Sequence, residues 1–368
     1  MRRRLLALDA APLSVPLREP FVIATATLTT TRAALVRVRL EDVETGAIET
    51  GLGEAAALPP VTAEDQPDLL AAVATVAAAV VGWSLDGIAG LAAPLDSVLA
   101  ERPVARAGVE TALLDAWARL DGVSVCALLG GPPVPPPLVT DITLPIATPA
   151  HAAELARAHH AAGFDCFKVK VGRDVDRDRA ALLAVHAAVP SARFRLDANG
   201  GYRAAEALAL LDVARGHGLV VECFEQPCAR DDIAGMAAVT AAAPDIPVVA
   251  DESVRTLDDL ARVLDAGAAR AVNLKLAKMG GPLAALAIGR RARAAGLGIM
   301  AGAMVETRLG LTAMAHVVGA LGGADWIDLD TAALLADDLF LGGFEAEGPC
   351  LKTQAGQGLF VTRRQAKA

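Results

Sequence analysis

Six charged residues stand where an apolar run gives way to polar sequence, and together they could take a proton from carbon. They are Lys168 and Lys170 in Phe167-Lys168-Val169-Lys170, Asp197 in Arg195-Leu196-Asp197-Ala198-Asn199, Glu225 in Phe224-Glu225-Gln226-Pro227, Asp251 in Ala250-Asp251-Glu252-Ser253, and Lys275 in Asn273-Leu274-Lys275. A proton next to a carboxylate is very weakly acidic, and its removal loads a second negative charge onto the carboxylate oxygens. A divalent cation and an ammonium group can stabilise that charge as it forms. Three acidic side chains without His or Cys are the oxygen-only donors that favour Mg²⁺. One such carboxylate alone reads more simply as a helix cap or a surface charge; three in successive register favour a metal. The lysines could merely balance those carboxylates, but nearby cations and partial burial would lower a lysine pKa and make it a usable base.

These residues need a scaffold that brings them together. From about residue 138, short apolar strands alternate with Ala-rich helices. The strand ends fall near Thr143, Lys168/Lys170, Asp197, Glu225, Asp251, Lys275, Ala303 and Asp328, in steps of 24 to 28 residues from Lys170 onward. About eight such units predict a closed parallel (β/α) barrel, whose chemistry gathers at the C-terminal strand ends. Neighbouring strands lie about 4.8 Å apart, so Asp197, Glu225 and Asp251 would converge on one ion. Lys168 and Lys170, two residues apart, share one strand face. Lys275 would lie across the barrel mouth from Lys170. No phosphate loop or G-x-G-x-x-G follows the first strand, which weighs against a nucleotide fold.

Residues 1–58 read as β structure. Pro16 to Thr31 reads as a long connection, and Gly51-Leu52-Gly53-Glu54 as the close of a hairpin. Residues 63–82, 88–100 and 105–121 read as helices. The expected division is an α+β capping domain over 1–125, a barrel over 126–335, and a C-terminal segment, 336–368, that returns to the capping domain.

Bulk composition agrees. Of 368 residues, 54% are hydrophobic and 21% charged, enough for a large core. A net charge of −9 disfavours nucleic acid as a partner. Cys126, Cys166, Cys223, Cys228 and Cys350 are odd in number and form no C-x-x-C, so free thiols are expected. Asp9 interrupts the only candidate signal segment, and the Ala-rich stretch 70–82 is too short to span a bilayer. A cytoplasmic protein without membrane partners is expected.

The sequence resembles the enolase superfamily, and within it the muconate-lactonizing-enzyme subgroup. The matching pieces are Lys168-Val169-Lys170, the Asp197/Glu225/Asp251 trio, the run Gly108-Val109-Glu110-Thr111-Ala112-Leu113-Leu114-Asp115-Ala116-Trp117, and Lys275-Leu276-Ala277-Lys278-Met279-Gly280-Gly281. The resemblance covers nearly the whole chain. It implies a modified barrel with a capping domain built from both termini. It implies Lys170 and Lys275 as acid/base residues on opposite faces, Lys168 as a stabiliser of the enediolate, one Mg²⁺ on the trio, and Asn199 and Glu252 behind the metal. The seventh strand, Gly302-Ala303-Met304-Val305-Glu306-Thr307, lacks the His of mandelate-racemase-like relatives.

Asp328-Leu329-Asp330 at the eighth strand narrows the reading. Both aspartates point to one side, and the dipeptide epimerases carry such a pair to bind the substrate's ammonium. Asp330 could instead cap the helix beginning at Thr331. Thr143, Ile23 and Met304 are the further expected substrate contacts. Relatives specific for an acidic side chain carry an Arg in the first capping loop; here the matching position is Ala26, with only Arg18 and Arg32 nearby. A small-molecule dipeptide with an apolar or uncharged second residue is therefore expected, handled by a homo-oligomer. The alternatives are another reaction of the same subgroup, namely N-acylamino acid racemisation, o-succinylbenzoate synthesis or muconate cycloisomerisation, or a non-catalytic metal-dependent binding protein.

Overall fold

The computed structural model describes residues 2–364; Met1 and residues 365–368, which belong to the expected first and last segments, lie outside the described residues. The core of the fold is an eight-stranded parallel sheet with strands in sequential order: Ile142–Leu144, Cys166–Lys170, Arg193–Asp197, Val220–Glu225, Val248–Ala250, Ala271–Leu274, Gly298–Gly302 and Trp326–Asp328. The sheet closes nearly completely. Asp141 N–H donates to Ile327 O across the seam at 3.2 Å, and Leu329 N–H donates to the Thr140 hydroxyl at 2.9 Å. The fold is a (β/α) barrel with an antiparallel capping domain. Seven of the eight strands stop at or one residue before the predicted end, and the first runs one residue past Thr143, so the predicted residues gather at the C-terminal rim of the barrel.

The capping sheet runs in the order Ile48–Ala57, Arg32–Asp42, Arg3–Leu13, Ser84–Leu85. Helices Gln66–Val80, Ala92–Leu99 and Pro103–Leu120 accompany it. Asp65 caps the first of these in a reciprocal box with Asp68. Two expectations about this region fail. Pro16 to Thr31 is not a bare connection: Pro16–Val22 and Thr27–Thr30 pair as a hairpin, a β signal masked by two prolines that an edge strand tolerates. Gly51 and Gly53 do not turn the chain; they lie inside the strand Ile48–Ala57. A Cβ on Gly51 would stand 2.0 Å from Ala112 O, and one on Gly53 2.1 Å from Gly108 O. The glycines are there so that helix Pro103–Leu120 can lie against the strand.

The C-terminal segment touches both parts. Its strand Cys350–Thr353 pairs with Leu138–Val139 just before the barrel, while Leu359 N–H donates to Asp115 on the capping helix at 2.7 Å. All five cysteines are free. No described helix is long and apolar enough to cross a membrane.

Candidate active site

The second barrel strand delivers Lys168 and Lys170 on its inward face. Lys168 is 1% exposed, and its Nζ lies 2.5 Å from Asp328 Oδ2, 2.6 Å from Glu225 Oε2 and 3.3 Å from Asp197 Oδ2. Lys170 pairs with Asp197. Lys275 begins the loop after the sixth strand, and its Nζ is 2.7 Å from Asp251 Oδ2 and 3.8 Å from Glu225 Oε1. Lys170 and Lys275 thus sit at opposite ends of the acidic trio, with Glu225 between them.

The trio itself is interleaved with ammonium groups. Among the described residues, Asp141, Asp328 and Asp330 each bring one oxygen within 4.8 Å of the others; Asp197, Glu225 and Asp251 do not form such a group. Lys168 and Lys275 stand among the members of the expected trio and partner each directly. The Asp141 group has its own cations: Arg195 reaches Asp141 at 2.9 Å, and Lys168 reaches Asp328.

Electrostatics follow from these partners. Burial opposes ionisation of Asp197, yet the Lys170 and Lys168 ammoniums hold it down at about 2. Asp251 lies well below the ordinary carboxylate range against the same burial, because Lys275 and Lys278 both face it. Burial, then Asp197, pushes Glu225 up to about 7. Lys275 departs from the sequence expectation. Burial alone would lower it, but Asp251 and Glu225 outweigh burial and raise it. Lys168 is likewise raised, by Asp328, Glu225 and Asp197 against burial. The sign is opposite to the expected one because the lysines hold carboxylates that a metal would otherwise share.

Four lysines, including Lys278 at 2.6 Å from Asp251 Oδ1, touch Asp197, Glu225, Asp251 and Asp328. Two further carboxyls, half-buried Glu252 and buried Asp330, have no such cation among the described residues, and each keeps one buried oxygen without a hydrogen-bond donor: Glu252 Oε2 and Asp330 Oδ1. Burial, then Asp251, pushes Glu252 up to about 7; burial, then Asp328, pushes Asp330 up to about 6. A surplus of buried negative charge beside a hard-oxygen donor set fits a divalent cation near Glu252 and an ammonium near Asp330. Asp330 does precede helix Thr331–Leu334, but its side chain caps nothing there; Oδ2 instead accepts Thr143 N–H at 2.5 Å.

A narrow cavity of about 30 Å³ opens over these groups. Of the expected site residues, Ile23, Thr143, Lys170, Asn199, Lys275, Met304, Asp328 and Asp330 line it. Lys168, Asp197, Glu225 and Asp251 do not, and are buried; Glu252, which is half-buried, does not line it either. Phe21, Leu58, Val61 and Val305 complete an apolar wall that the sequence reading missed. The cap loops that carry that wall are tied to the barrel. Arg173 donates to Ala24 O at 3.1 Å and to Ala26 O at 3.5 Å, and Arg255 donates to Val61 O at 3.2 Å. Arg18 and Arg32 are engaged elsewhere, with Ala333 O and Asp65. The only cations lining the cavity among the described residues are Lys170 and Lys275.

Other missed residues hold the site in shape. Gln226 adopts φ +35° and accepts Asp251 N–H at 2.9 Å and Ser253 N–H at 3.1 Å, which fixes the end of the fifth strand. Asn273 donates to Glu225 at 2.8 Å. On the capping helix, Glu110 accepts Leu283 N–H at 2.7 Å and Arg106 donates to Gly280 O. Gly281 has φ +127°, and a Cβ there would stand 2.5 Å from Glu110 Oε1. That packing accounts for the Gly108–Trp117 and Lys275–Gly281 motifs: one clamps the loop that the other forms.

Family models match the chain at both ends: the mandelate racemase/muconate lactonizing enzyme N-terminal domain over residues 8–130, and the enolase C-terminal domain-like family over residues 150–367. The chain belongs to the enolase superfamily. It is 39% identical to the aromatic dipeptide epimerase of Herpetosiphon aurantiacus, over 96% of this chain and 98% of that one. It is 34% identical to the L-Ala-D/L-Glu epimerase of Bacillus subtilis, over 97% and 96%. The solved structure of a dipeptide epimerase from Enterococcus faecalis, complexed with Mg and L-Leu-L-Tyr, superposes with a TM-score of 0.89 at 29% identity, over 98% of this chain and 100% of that one. With such relatives across its full length, this superfamily member is an isomerase of the racemase and epimerase kind.

Proposed function

We propose that this chain is a Mg²⁺-dependent dipeptide epimerase that inverts the α-carbon of the C-terminal residue and accepts an apolar or uncharged side chain there. The observation that carries the reading is the arrangement around one cavity: Lys170 and Lys275 at opposite ends of the acidic trio, and Asp330 facing the same space with a buried, unpartnered oxygen. Lysines on two flanks suit removal of a proton from one face and its return to the other. A carboxyl without a counter-charge suits a free ammonium.

Asp197, Glu225 and Asp251 would hold the ion, with Asn199 and Glu252 beside them; when bound it supplies positive charge for the substrate carboxylate. The remaining work belongs to side chains. Asp328 and Asp330 hold the amine. One of Lys170 and Lys275, in its neutral form, takes the α-proton, and the other, as an ammonium, delivers a proton to the opposite face. Lys168 adds a buried positive charge where negative charge grows. Phe21, Ile23, Leu58, Val61, Met304 and Val305 exclude water and receive the side chain of the reacting residue. The absence of any lining guanidinium supports an uncharged side chain.

The test is incubation with a dipeptide library in D₂O, with and without Mg²⁺, read by NMR or mass spectrometry. Deuterium should enter at the C-terminal α-carbon only with the ion present, and chelation should stop it. Exchange confined to N-acylated or amine-free acids would move the reading to another reaction of the same subgroup. No exchange with any carbon acid would remove it.

A further inference from the structure

A second cavity, of about 130 Å³, lies beneath the cap strand Pro16–Val22, and Phe21 and Thr143 line both it and the first. We propose that this second cavity receives the side chain of the substrate residue that carries the free amine, and that it selects a large apolar side chain there. The proposal rests on the reading of Asp330 given above. Asp330 Oδ2 is held by Thr143 N–H, so an amine at the free Oδ1 lies one residue from the wall common to both cavities. A side chain leaving the adjoining carbon has the second cavity beside it.

The lining fits such an occupant. Leu17, Pro20, Phe21, Pro145, Leu155 and Leu334 give apolar surface. Charges at the rim already have partners: Arg18 donates to Ala333 O at 3.2 Å, and Glu19 lies 3.1 Å from His151. Burial lowers the His159 pKa and favours its neutral form, and its ring meets Phe164 edge-on, with centroids 6.1 Å apart. The walls are also fixed before any ligand arrives. Ala336 N–H donates to Pro16 O at 2.8 Å, Ile146 N–H donates to Val22 O at 2.9 Å, and Leu17 bridges to Leu335. A methyl group would leave most of this apolar space wet, whereas a leucine or an aromatic ring would fill it.

The experiment compares kcat/KM across Gly-X, Ala-X, Leu-X and Phe-X with one fixed apolar X, on the Mg²⁺-loaded full chain, by deuterium incorporation. Leu-X or Phe-X should exceed Ala-X by at least about tenfold, since each buried methylene is worth about that much discrimination or more. Leu155→Trp, which fills the cavity from helix Pro149–Ala161, should bring that ratio towards one. Equal values for Ala-X and Leu-X in the unmodified chain would overturn the proposal, as would a ratio unmoved in a Leu155→Trp protein that melts like the parent. Turnover of all four without size preference would sink this subsite alone; exchange with no dipeptide at all would sink the epimerase reading with it.

Discussion

Asp330→Asn should give a protein that is more stable and less active. In the parent, the carboxyl is buried and has no cation of its own. Burial, then Asp328, raises its pKa from 3.8 to about 6. A raised carboxyl contributes stability below about pH 4, in its protonated form, and loses it as pH rises through 6. At pH 7 the charged form therefore costs about 3 kcal/mol at most, at roughly 1.4 kcal/mol per pKa unit. Asn is neutral and its amide oxygen can still accept Thr143 N–H, so the variant should gain about 1–3 kcal/mol at pH 7. Function should move the other way. Asp328 shares its charge with Lys168, whereas Asp330 has no cation of its own, so removing the Asp330 charge should weaken the hold that the two aspartates have on the amine. Exchanging one charge-assisted hydrogen bond for a neutral or mismatched one costs about 1–2 kcal/mol, roughly 5- to 30-fold in kcat/KM. The assay is deuterium exchange on a dipeptide and on its N-acetyl derivative, with thermal melts alongside. The loss should fall on the free amine alone, and the parent's kcat/KM for it should decline as pH falls below about 6. An equal loss on both substrates, or a destabilised variant, would refute the reasoning.

Other perturbations separate the remaining parts. Lys170→Ala and Lys275→Ala should each abolish inversion by about 10²-fold or more, while each keeps solvent exchange of one stereoisomer, opposite for the two variants, visible by NMR on pure L,L and L,D dipeptides. Arg173→Ala frees the carbonyls of Ala24 and Ala26 and should raise KM about tenfold while kcat changes little, measured by steady-state kinetics. His316 is buried and receives Cys126 N–H at 3.0 Å, and burial lowers its pKa from 6.5 to about 4. A lowered histidine contributes stability above about pH 6.5 that is lost as pH falls towards 4, about 3 kcal/mol in all. Melting of the parent should therefore fall more steeply over that range than melting of His316→Gln, whose amide oxygen can keep the Cys126 bond.

The barrel was legible because two signals coincide: apolar strands recur every 24 to 28 residues from Lys170 onward, and all but the seventh are closed by a polar residue. The parity of Lys168 and Lys170 and the order of Asp197, Glu225 and Asp251 could be read from that. Contacts between distant segments could not. Phe21, Leu58 and Val61 carry no mark of a binding wall until the cap meets the barrel. Gly51 and Gly53 look like turn residues until helix Pro103–Leu120 is seen against them. The direction in which Lys168 and Lys275 shift could not be read either, since it depends on which carboxylate each ammonium meets in three dimensions. Gln226 could have been suspected from its place directly after Glu225, but its bonds to the next strand could not.

The grip of Arg106 and Glu110 on Gly280 and Leu283 bears on how this enzyme could be redesigned. Grafting the entire N-terminal half from a homologue would alter the seating of Lys275 and Lys278, so reactivity and selectivity would change in one stroke. Transplanting only 16–31 and 58–63 leaves that helix in place and confines the exchange to the surfaces that choose the ligand. A recombination library cut at those boundaries should therefore retain far more working clones than one cut between the two halves.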